Sequence, residues 1–230
     1  WDASLSQRPM RRVVDPLRSM GARVDAEIDG TPPLRIAPAD HLQGIDYASP
    51  VASAQVKSAL LLAGLRAEGT TTVREPHPTR DYTERMLGAF GVRVRHAPGL
   101  AALEGGQRLR AADIRIPGDF SSAAFAIVAA TVVPGSELVI ERVGLDPRRI
   151  GLLHALKRMG ADIAWDGMRQ SDEAEAGIAP LTVRHAPLRG IDVPPVLVPD
   201  MIDEFPALFA AAACAEGTTR VRGAAELRIK

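Results

Sequence analysis

Aromatic side chains are scarce in this chain, at 4% of 230 residues. A core must therefore be built from Ala, Val, Leu and Ile, and few rings are left to stack on nucleic-acid bases. A basic excess is missing too. Lys plus Arg and Asp plus Glu number 28 each, so the formal net charge is zero and a polyanionic partner such as nucleic acid is not expected. Cysteine occurs once, at Cys214 inside an alanine-rich run. One thiol cannot form an intramolecular disulfide, and the usage fits a reducing, cytoplasmic setting. The run predicts Cys214 to be a buried, inert thiol rather than a nucleophile. No window reaches the roughly 18 consecutive apolar residues of a membrane span. Trp1-Asp2-Ala3 carries no basic-then-apolar leader pattern, and the sequence reads as a piece cut at both ends. His41, His77, His96, His154 and His185 are scattered without metal-ligand spacing, so a metal is not expected, and no glycine-rich phosphate loop of the nucleotide type occurs.

What is present is repetition. A short amphipathic helix that ends in an apolar residue, then Gly, then a strand, recurs at residues 14–24, 83–94 and 153–163. Its glycines, Gly21, Gly91 and Gly160, are 70 and 69 positions apart. Glycine at that point suits the left-handed residue that closes many helices. A second unit, an apolar helix followed by a glycine turn and a β-branched strand, recurs at 58–73, 122–140 and 207–221. The polar stretch 166–177 reads as a surface loop inserted before the last copy.

These repeats predict an α/β fold turned inside out. Nearly all-apolar helices are expected to be buried and covered on all sides, with sheets of mixed strand direction outside them. Short strand candidates such as residues 33–36 and 181–184 lie close to other strands, which argues against a conventional doubly wound parallel sheet. A junction is expected within 108–116, giving domains 1–115 and 116–230.

Chemistry-bearing side chains gather at helix starts. Asp200, Asp203 and Glu204 precede the apolar run from Ala207, where they serve either as capping acids or as catalytic carboxylates. Ser53 and Gln55 open the first apolar helix, as an N-cap or as donors to an anion. Asp119 or Ser121 caps the second. Arg80, at the start of another helix, has the fork geometry for phosphate or carboxylate. Arg228 and Lys230 fall at an expected strand-to-loop transition.

Five ordered motifs carry a resemblance: Ser53-Ala54-Gln55-Val56-Lys57-Ser58-Ala59-Leu60, Thr79-Arg80-Asp81-Tyr82-Thr83-Glu84, Gly118-Asp119-Phe120-Ser121-Ser122-Ala123-Ala124-Phe125, Met201-Ile202-Asp203-Glu204-Phe205-Pro206 and Glu226-Leu227-Arg228-Ile229-Lys230. Together they resemble the enolpyruvylshikimate-phosphate synthase family across nearly the whole chain. The resemblance implies the inside-out α/β barrel of enolpyruvyl transferases, with two similar domains, each incomplete here. It implies transfer of the enolpyruvyl group of phosphoenolpyruvate to the 5-hydroxyl of 3-phosphoshikimate, by a monomer without cofactor. By the same resemblance Ser53, Ala54, Gln55 and Arg80 bind substrate, Lys230 pairs with the anionic substrates, and Asp203 is catalytic. Trp1 stands where the family has Gly. The family's proton-donating glutamate after Lys230, and its upstream Lys-Ser, Asn-Ser-Gly and arginine motifs, lie outside this sequence, so the chain alone is expected to be inactive. A UDP-N-acetylglucosamine enolpyruvyl transferase, which brings a cysteine-bearing loop, and a non-catalytic binding module are the alternatives.

Overall fold

The computed structural model describes residues 3–165 and 177–228; the loop expected at 166–177, except for Gly177, and Lys230 lie outside the described residues. The chain divides into two compact units, residues 1–113 and 114–230.

In the first unit the order is α1 (Ala3–Ser6), α2 (Arg11–Ser19), β1 (Arg23–Asp25), β2 (Arg35–Ala37), β3 (Leu42–Gln43), β4 (Asp46–Ala48), α3 (Ala54–Gly64), β5 (Ala67–Glu68), β6 (Thr70–Arg74), α4 (Tyr82–Ala89), β7 (Val94–Ala97) and β8 (Leu100–Glu104). β1 and β2 pair antiparallel, while β3 and β5 pair parallel. A four-stranded sheet runs β4-β6-β8-β7, parallel between β4 and β6 and antiparallel elsewhere. Helix α3 lies against this sheet. Its Leu61 and the cap residue Leu65 that follows it join Leu87, Val92 and Leu103, and its Val56 and Leu60 join Met20, Ala67 and Val73.

The second unit contains α5 (Phe120–Val132), β9 (Glu137–Gly144), α6 (Gly151–Arg158), β10 (Asp162–Trp165), β11 (Ile178–Arg184), 3-10 turns at Pro195–Leu197 and Pro199–Met201, α7 (Phe205–Ala213) and a 3-10 turn at Ala225–Arg228. The sheet β10-β11-β9 is antiparallel throughout. One cluster fills this unit, drawing Phe120 and Ile127 from α5, Leu152, Leu153 and Leu156 from α6, Leu181 and Val183 from β11, and Phe205 and Leu208 from α7.

The repeat glycines take the left-handed conformation expected of them: φ is 95° at Gly21, 81° at Gly91 and 100° at Gly160. Sheets of mixed direction are also found. The apolar helices bury one face on their own unit's sheet or neighbouring helices, while Leu62 on α3, Phe125 on α5 and Phe209 on α7 are 52%, 61% and 54% exposed in this chain. Three expectations need correction. Cys214 is exposed, because it falls at the cap position after α7, where the chain turns away from the packed face. Residues 218–221 form no strand; the stretch makes isolated parallel bridges, Arg189 with Glu216 and Asp192 with Arg220. Pro194 and Pro195 follow at once and supply no N–H to extend the ladder. Arg228 ends a 3-10 turn rather than a strand.

A further repeat becomes visible in three dimensions. Gly44-Ile45-Asp46 and Gly190-Ile191-Asp192 are the same device. Gly44 N–H donates to Glu68 O and Gly190 N–H to Glu216 O, both at 2.8 Å. Ile45 O accepts from Thr72 N–H at 2.7 Å and Ile191 O from Arg220 N–H at 2.9 Å. A side chain at Gly44 would run into the Thr70 backbone, and one at Gly190 into the Thr218 backbone. Backbone cannot yield as a side-chain tip can. Gly44→Ala and Gly190→Ala are each expected to lower unfolding free energy by about 1–3 kcal/mol. Gly217, which has φ of 90° but open space around it, should lose only about 1 kcal/mol as Ala. Urea unfolding of the three variants checks that order.

Candidate active site

In the first unit the candidate residues converge at the start of α3. Ser53 is the N-cap, extended at φ −152° and ψ 107°, and its hydroxyl accepts from Val56 N–H at 3.4 Å. Ala54 and Gln55 occupy the first turn, where backbone N–H groups have no intrahelical partner. Gln55 is exposed, and its Oε1 accepts from Arg12 Nη2 at 3.1 Å. Across a shallow cleft stands Arg80, half-buried. Ala54, Gln55, Ser58, Ala59, Leu62, Arg80, Tyr82 and Thr83 line that cleft. Ser58 Oγ donates to Ala54 O at 2.7 Å and shares a 2.6 Å hydrogen bond with Thr83 Oγ1, which closes its floor. Three of the four candidate residues of this unit, Ala54, Gln55 and Arg80, thus border one cleft. Ser53 shapes it from the cap position. Helix-start N–H groups, an amide and a guanidinium form a set of donors suited to an anion.

A second cleft of the same unit, beside β8, includes Arg93, Arg95, Glu104 and Gln107. It is poorly suited to an anion. Both ends of the Gln107 amide are occupied by backbone of Arg93 and Glu104, and the Glu104 carboxylate adds negative charge.

In the second unit Asp203 is exposed in the turn that leads into α7. Glu204 stands at the N-cap position of α7 and makes no side-chain cap, contrary to the capping expectation, and Asp200 lies in the preceding 3-10 turn. Pro206 in the first turn removes a donor that a cap would bind, and the Glu204 side chain turns inward instead. There it accepts from Ser121 Oγ, which in turn accepts from Arg149 Nη2. Arg149 also pairs with Asp119 at 3.1 Å, and Asp119 caps α5 by accepting Ser122 N–H at 2.9 Å. Asp119 is therefore the cap the sequence pattern indicates. Asp200 lies within 4.0 Å of Arg148.

Burial pushes the Glu204 carboxyl above its ordinary value, and Asp203's charge adds to the rise; the Ser121 bond and Arg149 oppose it. Burial likewise raises Asp200, against the pull of Arg148. Asp119 is held low; burial works against this, and the bonds from Ser122 and the charge of Arg149 prevail. Lys230 lies outside the described residues, so its expected place is open. Among the described residues no group of three His, Cys, Asp or Glu side chains is arranged to hold a metal ion. Nor is any of their helices long and apolar enough to cross a membrane.

Several residues of these networks escape a reading by local pattern. Arg12 meets Gln55 from 43 positions away and Arg149 meets Ser121 from 28 away. Lys57, Glu75 and Glu84 form a buried ion cluster beneath the α3 cleft. The one visible signal was a lysine inside an otherwise apolar helix, since a buried lysine needs an acidic partner.

The described architecture is that of the enolpyruvyl transferases, the inside-out α/β fold. The enolpyruvyl transferase NikO from Streptomyces tendae superposes with a TM-score of 0.73 over 95% of this chain and 52% of that one, at 22% identity. An EPSP synthase from Acinetobacter baumannii gives a TM-score of 0.84 at 50% identity, covering 98% of this chain and 51% of its own. The family model for EPSP synthase (3-phosphoshikimate 1-carboxyvinyltransferase) matches residues 2–230, and the chain belongs to that family. A 3-phosphoshikimate 1-carboxyvinyltransferase from Xanthomonas campestris pv. campestris (strain B100) is 66% identical over 229 residues, which is all of this chain and 52% of the relative. The chain therefore spans about half the length of the relatives it matches.

A raised carboxyl keeps its proton more firmly when folded than when unfolded. The stability this proton lends is present below the ordinary carboxylate value and is lost as pH rises through the raised one. Glu204→Gln removes that dependence. The melting temperature of the variant minus that of the parent chain should climb as pH goes from about 4 to about 7. A difference that stays flat across this range would contradict the burial argument.

Proposed function

We propose that this chain carries part of the machinery of a 3-phosphoshikimate 1-carboxyvinyltransferase. The reaction moves the enolpyruvyl group of phosphoenolpyruvate to the 5-hydroxyl of 3-phosphoshikimate and releases phosphate. The observation that carries this reading is the meeting of Gln55 and Arg80 at one donor-lined cleft, in a chain of this family. Ser53, Ala54, Gln55 and Arg80 are assigned to hold 3-phosphoshikimate, and Lys230 to pair with the anionic substrates. Asp203 is assigned to take the proton of the 5-hydroxyl as that hydroxyl's oxygen bonds to C2 of phosphoenolpyruvate and C3 gains a proton from an acid outside this chain. In the elimination C3 gives up a proton, the bond from C2 to the phosphate oxygen breaks, and the double bond is restored as phosphate leaves. A carboxylate beside a hydroxyl meets the geometric demand on a general base. Positive donors serve because two anions must be brought together and charge builds in the addition intermediate. No electron changes hands in this addition and elimination, so no redox cofactor is required.

Residues 1–115 correspond in this reading to the C-terminal portion of the first enolpyruvyl-transferase domain, and 116–230 to the N-terminal portion of the second. The working protein is a monomer of the cytoplasm with small-molecule substrates, in keeping with one thiol and a balanced charge.

The assignment is tested in a chimera in which this chain replaces the matching half of the Xanthomonas campestris relative. Asp203→Ala should lower kcat about 10²–10⁴-fold, the usual worth of a positioned general base. Gln55→Ala and Arg80→Ala should weaken 3-phosphoshikimate binding by about tenfold or more, as loss of a charge-assisted or amide contact does. Near-normal turnover by Asp203→Ala would remove that residue from the reaction. Unchanged calorimetric affinity in both cleft variants would leave the non-catalytic module as the better reading.

A further inference from the structure

Beneath the α3 cleft three charged side chains are almost wholly withdrawn from water. Lys57 is 4% exposed, Glu75 1% and Glu84 3%. Lys57 Nζ lies 3.0 Å from Glu75 Oε2 and 2.8 Å from Glu84 Oε1. Such clusters are poor sources of net stability, because removing each ion from water costs about what their attraction returns; apolar residues of similar shape often do as well. A geometric role accounts better for what this cluster touches.

Glu75 is the hub. Its Oε1 accepts the Ser53 N–H at 3.1 Å, so it grips the turn from which Ala54 and Gln55 emerge. The Thr79 hydroxyl donates to the same carboxylate, at 2.7 Å to Oε1 and 2.9 Å to Oε2. Thr79 immediately precedes Arg80. Four residues beyond Arg80, Glu84 is tied back to Lys57, one turn along the helix that bears Gln55. Arg80 is thus bracketed by Thr79 and Glu84, and both brackets end on the same helix start. The Ser58–Thr83 bond repeats this tie at the cleft floor.

We propose that Lys57, Glu75 and Glu84 with Thr79 are positioning residues, which fix the spacing between Arg80 and the Ser53–Gln55 turn so that both meet one phosphate group. This rests on the anion-site reading of the cleft. The network touches no substrate itself. Its effect is to hold the Arg80 segment at the separation where guanidinium, amide and helix-start N–H groups converge.

The same chimera provides the test, with KM and kcat measured for 3-phosphoshikimate. Thr79→Val keeps the residue's shape and leaves all three ions paired, so it should fold normally. Glu75→Gln keeps the size of the hub but removes its charge. Both variants should raise KM for 3-phosphoshikimate about tenfold with kcat within about twofold, since a misplacement near 1 Å costs this much or more. Competition by unphosphorylated shikimate should be unaffected, because the network acts on the phosphate-holding groups. Melting temperatures are recorded alongside. If Thr79→Val and Glu75→Gln lower the melting temperature yet leave KM within twofold, while Arg80→Ala raises it, the network is merely structural and the proposal is overturned. If Arg80→Ala and Gln55→Ala leave KM unchanged too, the anion-site reading itself fails, and the positioning role falls with it.

Discussion

The rest of this chain depends on how closely two parallel backbone segments approach at a glycine. Gly44 to Glu68 and Gly190 to Glu216 each clasp the two ends of a segment that contains one apolar helix. Gly118 makes a third such clasp by donating to Arg142 O at 2.8 Å around α5. Parallel pairing requires a crossover, and a helix is the usual one. The clasp therefore places the helix on the path out of its entering strand or bridge. Ser53 and Asp119 stand on that path close to their strand or bridge, and the turn holding Asp203 follows its bridge after two 3-10 turns. The three places that drew attention for their polar residues are one place in a repeated unit.

At each start the molecule solves the same problem with different ions. Polar groups must reach the ends of apolar helices, and once partly buried they need partners. In the first unit Lys57 answers Glu75 and Glu84; in the second Arg149 answers Asp119 and, through Ser121, Glu204. Lysine and arginine suit these roles differently. The compact ammonium sits between two carboxylates, whereas the planar guanidinium spreads its donors over a hydroxyl and an acid.

What was legible in the sequence was local. The left-handed glycines at 21, 91 and 160, the caps at Ser53 and Asp119, and the alternation of apolar helices with short strands follow from neighbours a few residues apart. The Gly-Ile-Asp repeat was written in the sequence but is 146 residues long in period, and its meaning lies in a backbone approach that composition does not reveal. Partners of buried charges were hidden for a related reason: Lys57 and Glu75 are 18 residues apart and join only when β6 is laid along α3. An apolar sequence reports what a helix tolerates around it and not which of its faces its own unit covers, as the exposed Leu62, Phe125 and Phe209 show.

The contact between Arg12 and Gln55 has a directional consequence. A carboxamide offers a donor at one end and an acceptor at the other, and either end can face a visitor. A guanidinium only donates, so Arg12 occupies the oxygen of Gln55, and the other end of the amide is a donor. Arg80 likewise has nothing but N–H groups to give. The charged and amide groups of this surface thus speak with one polarity. A neutral polyol, which must both give and receive hydrogen bonds, finds few acceptors among them, whereas an oxyanion finds every lone pair answered.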